Sequence, residues 1–194
     1  MKLTRDDLMS LERYHTERAA FRARVLAHKA ARKVFLGAHA ALYFEDRLTI
    51  QYQIQEMLRV ERIFEAEAVQ DELDAYNPLI PDGDNWKATF MLEHERPEER
   101  RAALERLVGI EHRVWVRIGA AAPILAVADE DLNRTTDSKT SAVHFLRFQL
   151  DATLIAAAHA GAPVAFGIDH PACFESITVP EATRVSLIGD LATH

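Results

Sequence analysis

The sequence predicts an α+β fold, with N-terminal helices and one long central helix packed on a mainly antiparallel sheet of about five to seven strands. Three observations lead there. Apolar positions recur three and four apart through most of the N-terminal part of the chain, as helices require. From Lys87 onward the period falls to two, most clearly where Val114, Val116 and Ile118 alternate with Arg113, Trp115 and Arg117. The strands so marked have mostly short connections, which favours segregated helices and strands over a repeating βαβ pattern. No repeat, low-complexity tract or linker interrupts the chain. Residues 1–194 are therefore expected to form one domain, with 1–37 as a basic helical segment packed on the α+β body.

Thr4 is a good N-cap for a short helix through Arg13, with Asp6 and Asp7 in the first turn, where negative charge suits the helix dipole. A second helix is expected from about Thr16 to Phe35, stopped by Gly37. Ala40 to Phe44 reads as a strand that leads through Glu45-Asp46 into the long helix, Arg47 to Ala66. Ile50, Ile54, Met57, Leu58 and Phe64 fall on one arc of that helix, and Tyr52, Val60 and Ile63 on another. A helix apolar on two sides is expected to be covered on two sides. A helical turn around Val69 to Ala75 precedes Tyr76-Asn-Pro-Leu-Ile-Pro-Asp-Gly-Asp84, whose prolines and Asp-Gly pair predict a fixed loop.

Lys87 to Glu95 is the next strand, and Pro97, at its favoured first-turn position, starts a helix through Leu107. The strand around Val114–Ile118 takes Pro123 to Ala128 as its expected partner, followed by an acidic loop from Asp129. Ser141 to Leu150 is strongly apolar and so is expected to be central. Asp151 caps a helix to His159. Ala162 to Asp169 and Glu175 to Val179 are the last strands, before a short C-terminal helix.

Composition excludes several classes. Hydrophobic residues at 48% and charged residues at 27% describe a globular chain, not a disordered one. The longest apolar run, Ile118 to Ala128, is 11 residues and is broken by Gly119 and Pro123, so no membrane span is expected. The opening Met-Lys-Leu-Thr-Arg-Asp-Asp reads as a helix start, not a secretory leader, and Cys173 is the lone cysteine; a cytoplasmic location is expected. No CxxC spacing exists for structural zinc or an Fe–S cluster. The net charge of −7 is uneven. Residues 1–35 hold nine Lys/Arg against four Asp/Glu, a net +5, and the remainder 14 against 26, a net −12. The basic segment is expected to pack on its own acidic body. Without a basic, aromatic strip, and with a pI near 5.7, nucleic-acid binding is not expected.

The common catalytic signatures (GxGxxG, GxxxxGK[ST], GxSxG, HExxH and the EF-hand loop) are absent. Cys173 lacks an adjacent base, and Thr140 and Ser141 beside Lys139 could bind an anion but form a common triplet, so covalent catalysis is not expected. What stands out is Glu61, placed within the apolar arc of the long helix, with Glu65 one turn on. A carboxylate buried there must be protonated, paired or metal-bound. His144 lies in the apolar Ala142-Val-His-Phe-Leu-Arg-Phe148. Glu61, Glu65 and His144 are thus candidate ligands for Fe, Mn or Zn, the ions that carboxylate and imidazole suit. The ExxxE pair lacks the histidine that completes a di-iron helix motif. The alternative for Glu61 is an ion pair with Arg32, Arg47 or Arg147. His28, Gln55, Glu56, Glu93, Asp169 and His170 are candidate site-lining residues, each polar on an element expected to be partly buried.

Several blocks together resemble one bacterial family. They are Leu3-Thr-Arg-Asp-Asp-Leu8, Phe44-Glu-Asp-Arg-Leu-Thr49 running into Tyr52-Gln-Ile-Gln-Glu-Met-Leu-Arg59 and Glu61-Arg-Ile63, Asp71-Glu-Leu-Asp-Ala-Tyr-Asn-Pro-Leu-Ile-Pro-Asp-Gly83, Thr140-Ser-Ala-Val-His-Phe-Leu-Arg-Phe148 and Gly167-Ile-Asp-His-Pro171. The family is domain of unknown function number 3501, and the resemblance spans essentially the whole chain. It has no established activity and so lends no catalytic residues. Its members tend to be encoded beside rubrerythrin-like proteins and Fe–S oxidoreductases of the heterodisulfide-reductase type. The resemblance therefore implies an accessory role in peroxide defence or electron transfer, with a metal-containing redox protein as partner, and the charge asymmetry points to the basic N-terminal helices as the docking segment. The alternative expectation is a small metal-dependent enzyme or ligand-binding protein using buried Glu and His. A homodimer is expected on general grounds only.

Overall fold

The computed structural model describes residues 2–192, and helices and antiparallel sheets share them as an α+β fold. Thr4 caps only a single 3₁₀ turn, Arg5–Asp7, and accordingly no helix runs to Arg13. The Ser10 hydroxyl instead accepts from Arg13 N–H and starts one helix, α1 (Leu11–Ala30). The expected extension of this helix to Phe35 is wrong. Lys33–Leu36 forms β1, with Val34 and Leu36 buried, and turns at Gly37 (φ 69°) into β2 (Ala40–Phe44). Pairing with β2 overrides the helical spacing of Val25, His28, Arg32 and Phe35.

Asp46 and Thr49 cap α2 (Arg47–Glu61) reciprocally, each side chain accepting the other's backbone N–H at 2.9 Å. The helix ends earlier than predicted. Arg62 adopts a left-handed conformation (φ 57°) and Ile63 N–H bonds back to Leu58 O at 2.9 Å. The predicted turn near Val69 is a full helix, α3 (Ala66–Tyr76), followed by a 3₁₀ turn over Asn77–Leu79. The Asn77 amide both donates to and accepts from the Leu3 backbone, at 2.9 and 2.7 Å, and ties this loop to the N-terminal segment.

The chain then runs β3 (Asn85–Leu92), α4 (Pro97–Arg106), β4 (Val114–Ile118), β5 (Ile124–Leu125), β6 (Val127–Ala128), β7 (Val143–Gln149), α5 (Ala152–His159), β8 (Val164–His170), β9 (Cys173–Thr178) and α6 (Glu181–Ile188). The strands divide into two sheets, β1-β2-β3-β7-β6 and β5-β4-β8-β9, antiparallel throughout. The segment Pro123–Ala128 serves both, since β5 pairs with β4 and β6 with β7. The central strand of the larger sheet is β3, with β7 beside it. Inward-facing residues of both sheets share one core, in which Phe44, Trp86 and Phe148 each lie within 6.2 Å of Phe166 or one another, ring to ring.

The first three helices build two small clusters of their own, Ile50, Ile54, Leu58 and Leu73 in one and Tyr14, Phe21 and Val25 in the other. The outer face of the larger sheet keeps Tyr43, Thr89, Met91 and Phe145 half-buried. Among the described residues no helix is long and apolar enough to cross a membrane.

Candidate ligand groove and the buried histidine network

Alternation along β2, β3 and β7 sets the floor of a groove. Tyr43 pairs with Thr89 and Thr89 with Phe145, so these three form one cross-strand row on the outer face. The helical layer supplies the roof, through Ile50 and Gln53 of α2 and the Tyr76–Leu79 turn. Two lobes result, of about 430 and 610 Å³, and they share Glu45, Leu79 and Phe145. Those volumes suit a small organic molecule.

Glu45 sits where β2 ends and α2 begins. Its carboxylate accepts from the Thr49 hydroxyl at 2.6 Å and the Thr89 hydroxyl at 2.9 Å, and it has no ion-pair partner among the described residues. The charges lining the larger lobe are otherwise mostly matched. Lys2 and Lys87 reach Asp82 at 2.9 and 2.6 Å, and Arg147 grips Glu130 at 2.7 and 2.8 Å. Burial pushes the Asp82 carboxyl up, but the hydrogen bonds from Lys87 and Lys2 overcome it and hold it well below the usual range. In the smaller lobe Lys29 also lacks an ion-pair partner among the described residues. Opposite charges that are both unmatched, on one lobe, mark this as the candidate site.

His144 anchors a second polar cluster, sealed in the core. Its Nδ1 lies 2.6 Å from Asp129 Oδ2; its Nε2 lies 2.8 Å from Thr140 Oγ1 and 3.1 Å from Ser141 O. Thr140 donates to Glu111 at 3.1 Å, and Thr135 donates to the other oxygen of that carboxylate at 2.5 Å. His144 is 0% exposed and both Glu111 and Thr140 are 2% exposed. Asp129 Oδ1 further accepts from Phe145 N–H and from Arg134, at 3.0 and 3.2 Å. Both ring nitrogens are hydrogen-bonded, Nδ1 to Asp129 and Nε2 to Thr140 and the Ser141 carbonyl. An Asp–His–Thr chain has the order of a nucleophilic triad, but none of these three residues lines either lobe of the groove and the threonine is committed to Glu111. It pins the loop after β6 to the start of β7.

The family model for protein of unknown function DUF3501 matches residues 2–191. This chain belongs to the DUF3501 family. A crystal structure of a novel protein of unknown function from Burkholderia pseudomallei K96243, at 1.90 Å resolution, is 52% identical to it, covering 99% of this chain and 100% of that one, with a TM-score of 0.94. No curated protein matches.

In this DUF3501 protein the residues singled out by sequence do not converge. Glu61 and Glu65 are both exposed. The early end of α2 leaves Glu61 on its last turn and makes Glu65 the N-cap of α3, so the helical i, i+4 pair does not form. Val60 and Phe64, expected to be apolar cover, are 62% and 72% exposed. The three candidate arginines are engaged elsewhere, Arg32 with Asp46 and Asp190, Arg47 with Asp7, and Arg147 with Glu130. Among the described residues no three His, Cys, Asp or Glu side chains gather as a metal ion would need.

The site-lining candidates have structural partners. His28 Nε2 meets Asp46 at 2.5 Å, and Gln55 bonds both backbone groups of Met9. Glu56 receives a bidentate Arg18, the Tyr14 hydroxyl and Arg59; these, the Arg18 bond foremost, draw its carboxyl down to about 2. Glu93 takes the Tyr43 hydroxyl and Lys33. Asp169 is exposed at the end of β8. His170 donates from Nε2 to Val108 O at 3.2 Å and accepts from Ala172 N–H at 3.1 Å, which fixes its tautomer. Sequence reasoning missed Glu45, having read it only as the entry to the long helix. The signal available was the polar Glu45 and Thr89 on segments otherwise apolar, but only register brings them together.

Proposed function

We propose that this protein binds a small organic molecule in the two-lobed groove between the helical layer and the larger sheet. The observation that carries the reading is Glu45, a half-buried carboxylate shared by both lobes, positioned by two threonine hydroxyls and without a basic partner among the described residues. Unmatched charge in a concave, partly apolar site is where ligand recognition concentrates. The protein acts as a binding protein in the cytoplasm, the compartment that its lone cysteine suits. Mass spectrometry of the small molecules released from natively purified protein tests this. A compound recovered from the wild type in near-stoichiometric amount, and lost from Glu45→Arg and Phe145→Ala variants that still fold, is the expected result. Protein that is empty when native, and whose groove signals in NMR stay unmoved by a fragment library, overturns it.

A second reading, an accessory to a metal-containing redox or peroxide-defence protein, draws on α1. Arg22 and Arg24 are exposed there with no ion-pair partner among the described residues, so the helix presents positive charge outward. Such a surface speeds docking to an acidic partner. Co-purification at low salt, abolished by Arg22→Glu with Arg24→Glu, is its test.

A further inference from the structure

Resting on the groove reading, we infer that the smaller lobe takes a zwitterionic amino acid with an apolar side chain. Two charges of opposite sign line this one lobe, Glu45 at the end of β2 and Lys29 on the last turn of α1. Among the described residues neither reaches an ion-pair partner within 4.0 Å, and they do not reach each other. A molecule bearing both an ammonium and a carboxylate neutralises both when it lies between them. A simple amine leaves Lys29 unmatched, and a simple acid leaves Glu45 unmatched.

The Glu45 carboxylate is fixed on two oxygens by Thr49 and Thr89, which spares a ligand the cost of ordering it. Apart from Thr89 and the Gln53 amide, the remaining walls are apolar or aromatic, with Tyr43, Tyr76, Met91 and Phe145 facing the same space. Aromatic rings beside a carboxylate suit an ammonium, because the ring face is electron-rich. The protein's own cations already use two of these rings, with Lys33 4.5 Å from the Tyr43 centroid and Arg134 4.7 Å from that of Phe145. The volume of about 430 Å³ holds a single amino acid with a large side chain.

The test is a three-probe, two-variant comparison by amide NMR titration: L-phenylalanine, 2-phenylethylamine (no carboxylate) and 3-phenylpropanoate (no amine), against Glu45→Gln and Lys29→Met. Both substitutions are near-isosteric, and thermal melts establish that each variant folds. The expected result is that phenylalanine shifts amides around Glu45, Thr89 and Phe145 and binds at least about tenfold more tightly than either truncated probe, the factor lost with one matched charge. Glu45→Gln then weakens phenylalanine and the amine, whereas Lys29→Met weakens phenylalanine and the acid. Equal affinity for phenylalanine and a truncated probe, or phenylalanine binding untouched by either substitution, overturns the zwitterion while leaving the groove occupied. Failure of all three probes to bind there overturns it too, and the natively bound molecule then decides the groove reading separately.

Discussion

His144 and Asp129 meet at 2.6 Å, Nδ1 to Oδ2, and join the first turn of chain after β6 to β7 in the middle of a sealed core. Asp129 holds a left-handed backbone (φ 51°), a conformation that costs energy in a non-glycine residue and persists only where the surroundings enforce it. His144→Leu removes the partner of Asp129 Oδ2 and leaves the Thr140 hydroxyl without its bond to the ring, although Asp129 keeps Phe145 N–H and Arg134 and Glu111 keeps its two threonine donors. Leaving buried polar groups without one of their partners costs about 1–3 kcal/mol. Urea unfolding is expected to show that loss, and combination with Asp129→Asn is expected to be less than additive, as for residues in one network.

Glu61→Gln is the contrasting case. The carboxylate is exposed on the last turn of α2, and its nearest electrostatic effect is on Glu72, whose carboxyl burial raises and the neighbouring Glu61 and Asp71 charges raise further. Removing the Glu61 charge is therefore expected to leave stability within about 0.5 kcal/mol of wild type, as for exposed positions away from special features. Chemical denaturation checks it. A loss above that margin places Glu61 in an interaction that the fold does not display.

These two residues show what the sequence could and could not carry. Local signals located most elements well. Asp46 and Asp151 mark helix starts as caps and Pro97 marks one as first helical residue, while alternation marks β4 and apolar character marks β7. The failures are all tertiary. Phe35 has helical spacing from Val25 and His28, yet pairing with Ala41 puts it in a strand. Glu61 does fall on the arc of Ile50, Ile54 and Leu58, but α2 ends at it and leaves it exposed, because Arg62 takes a left-handed backbone that no pattern announces. His144 was legible as a buried polar residue; its partners Asp129, Thr140 and Glu111 come from three separate segments. The groove was invisible for the same reason, since Tyr43, Thr89 and Phe145 become neighbours only through register.

Arg32 bridges two carboxylates with opposite titration behaviour. It lies 2.5 Å from Asp190 and 3.5 Å from Asp46, and is 2% exposed. Burial pushes both carboxyls up. At Asp46 the Arg32 charge, the Thr49 N–H and His28 reverse that, leaving it below its ordinary value. Asp190 has only Arg32 as its main support and faces the Asp46 charge, so it rises from 3.8 to about 6. A raised acid ionises later in the folded state than in the unfolded one. Its effect on stability is absent below the unfolded value and grows unfavourable as pH climbs through about 4 to 6, reaching about 3 kcal/mol. Asp190→Asn is therefore expected to equal or exceed wild type in stability at pH 7, with the difference shrinking towards pH 4. Thermal melts across that range read it out. Glu56, drawn down to about 2, acts with the other sign and loses its stabilisation as pH falls below about 4.5.

Gly167 has its reason across the sheet. It pairs with Trp115 of β4, and the indole lies where a Cβ on residue 167 would stand, with the Glu175 carbonyl 2.7 Å from that position on the other side. Any side chain there must move a ring or a backbone. Overpacking of this kind typically costs about 1–3 kcal/mol, and Gly167→Ala is expected at the upper end because one of the two obstacles is main chain. In a Trp115→Ala background the ring is gone and the carbonyl stays. The same substitution should then cost less, by roughly 1 kcal/mol or more, without becoming free. A double-mutant cycle by urea unfolding measures the coupling. Equal cost in both backgrounds assigns the constraint to the β8–β9 backbone and removes Trp115 as its cause.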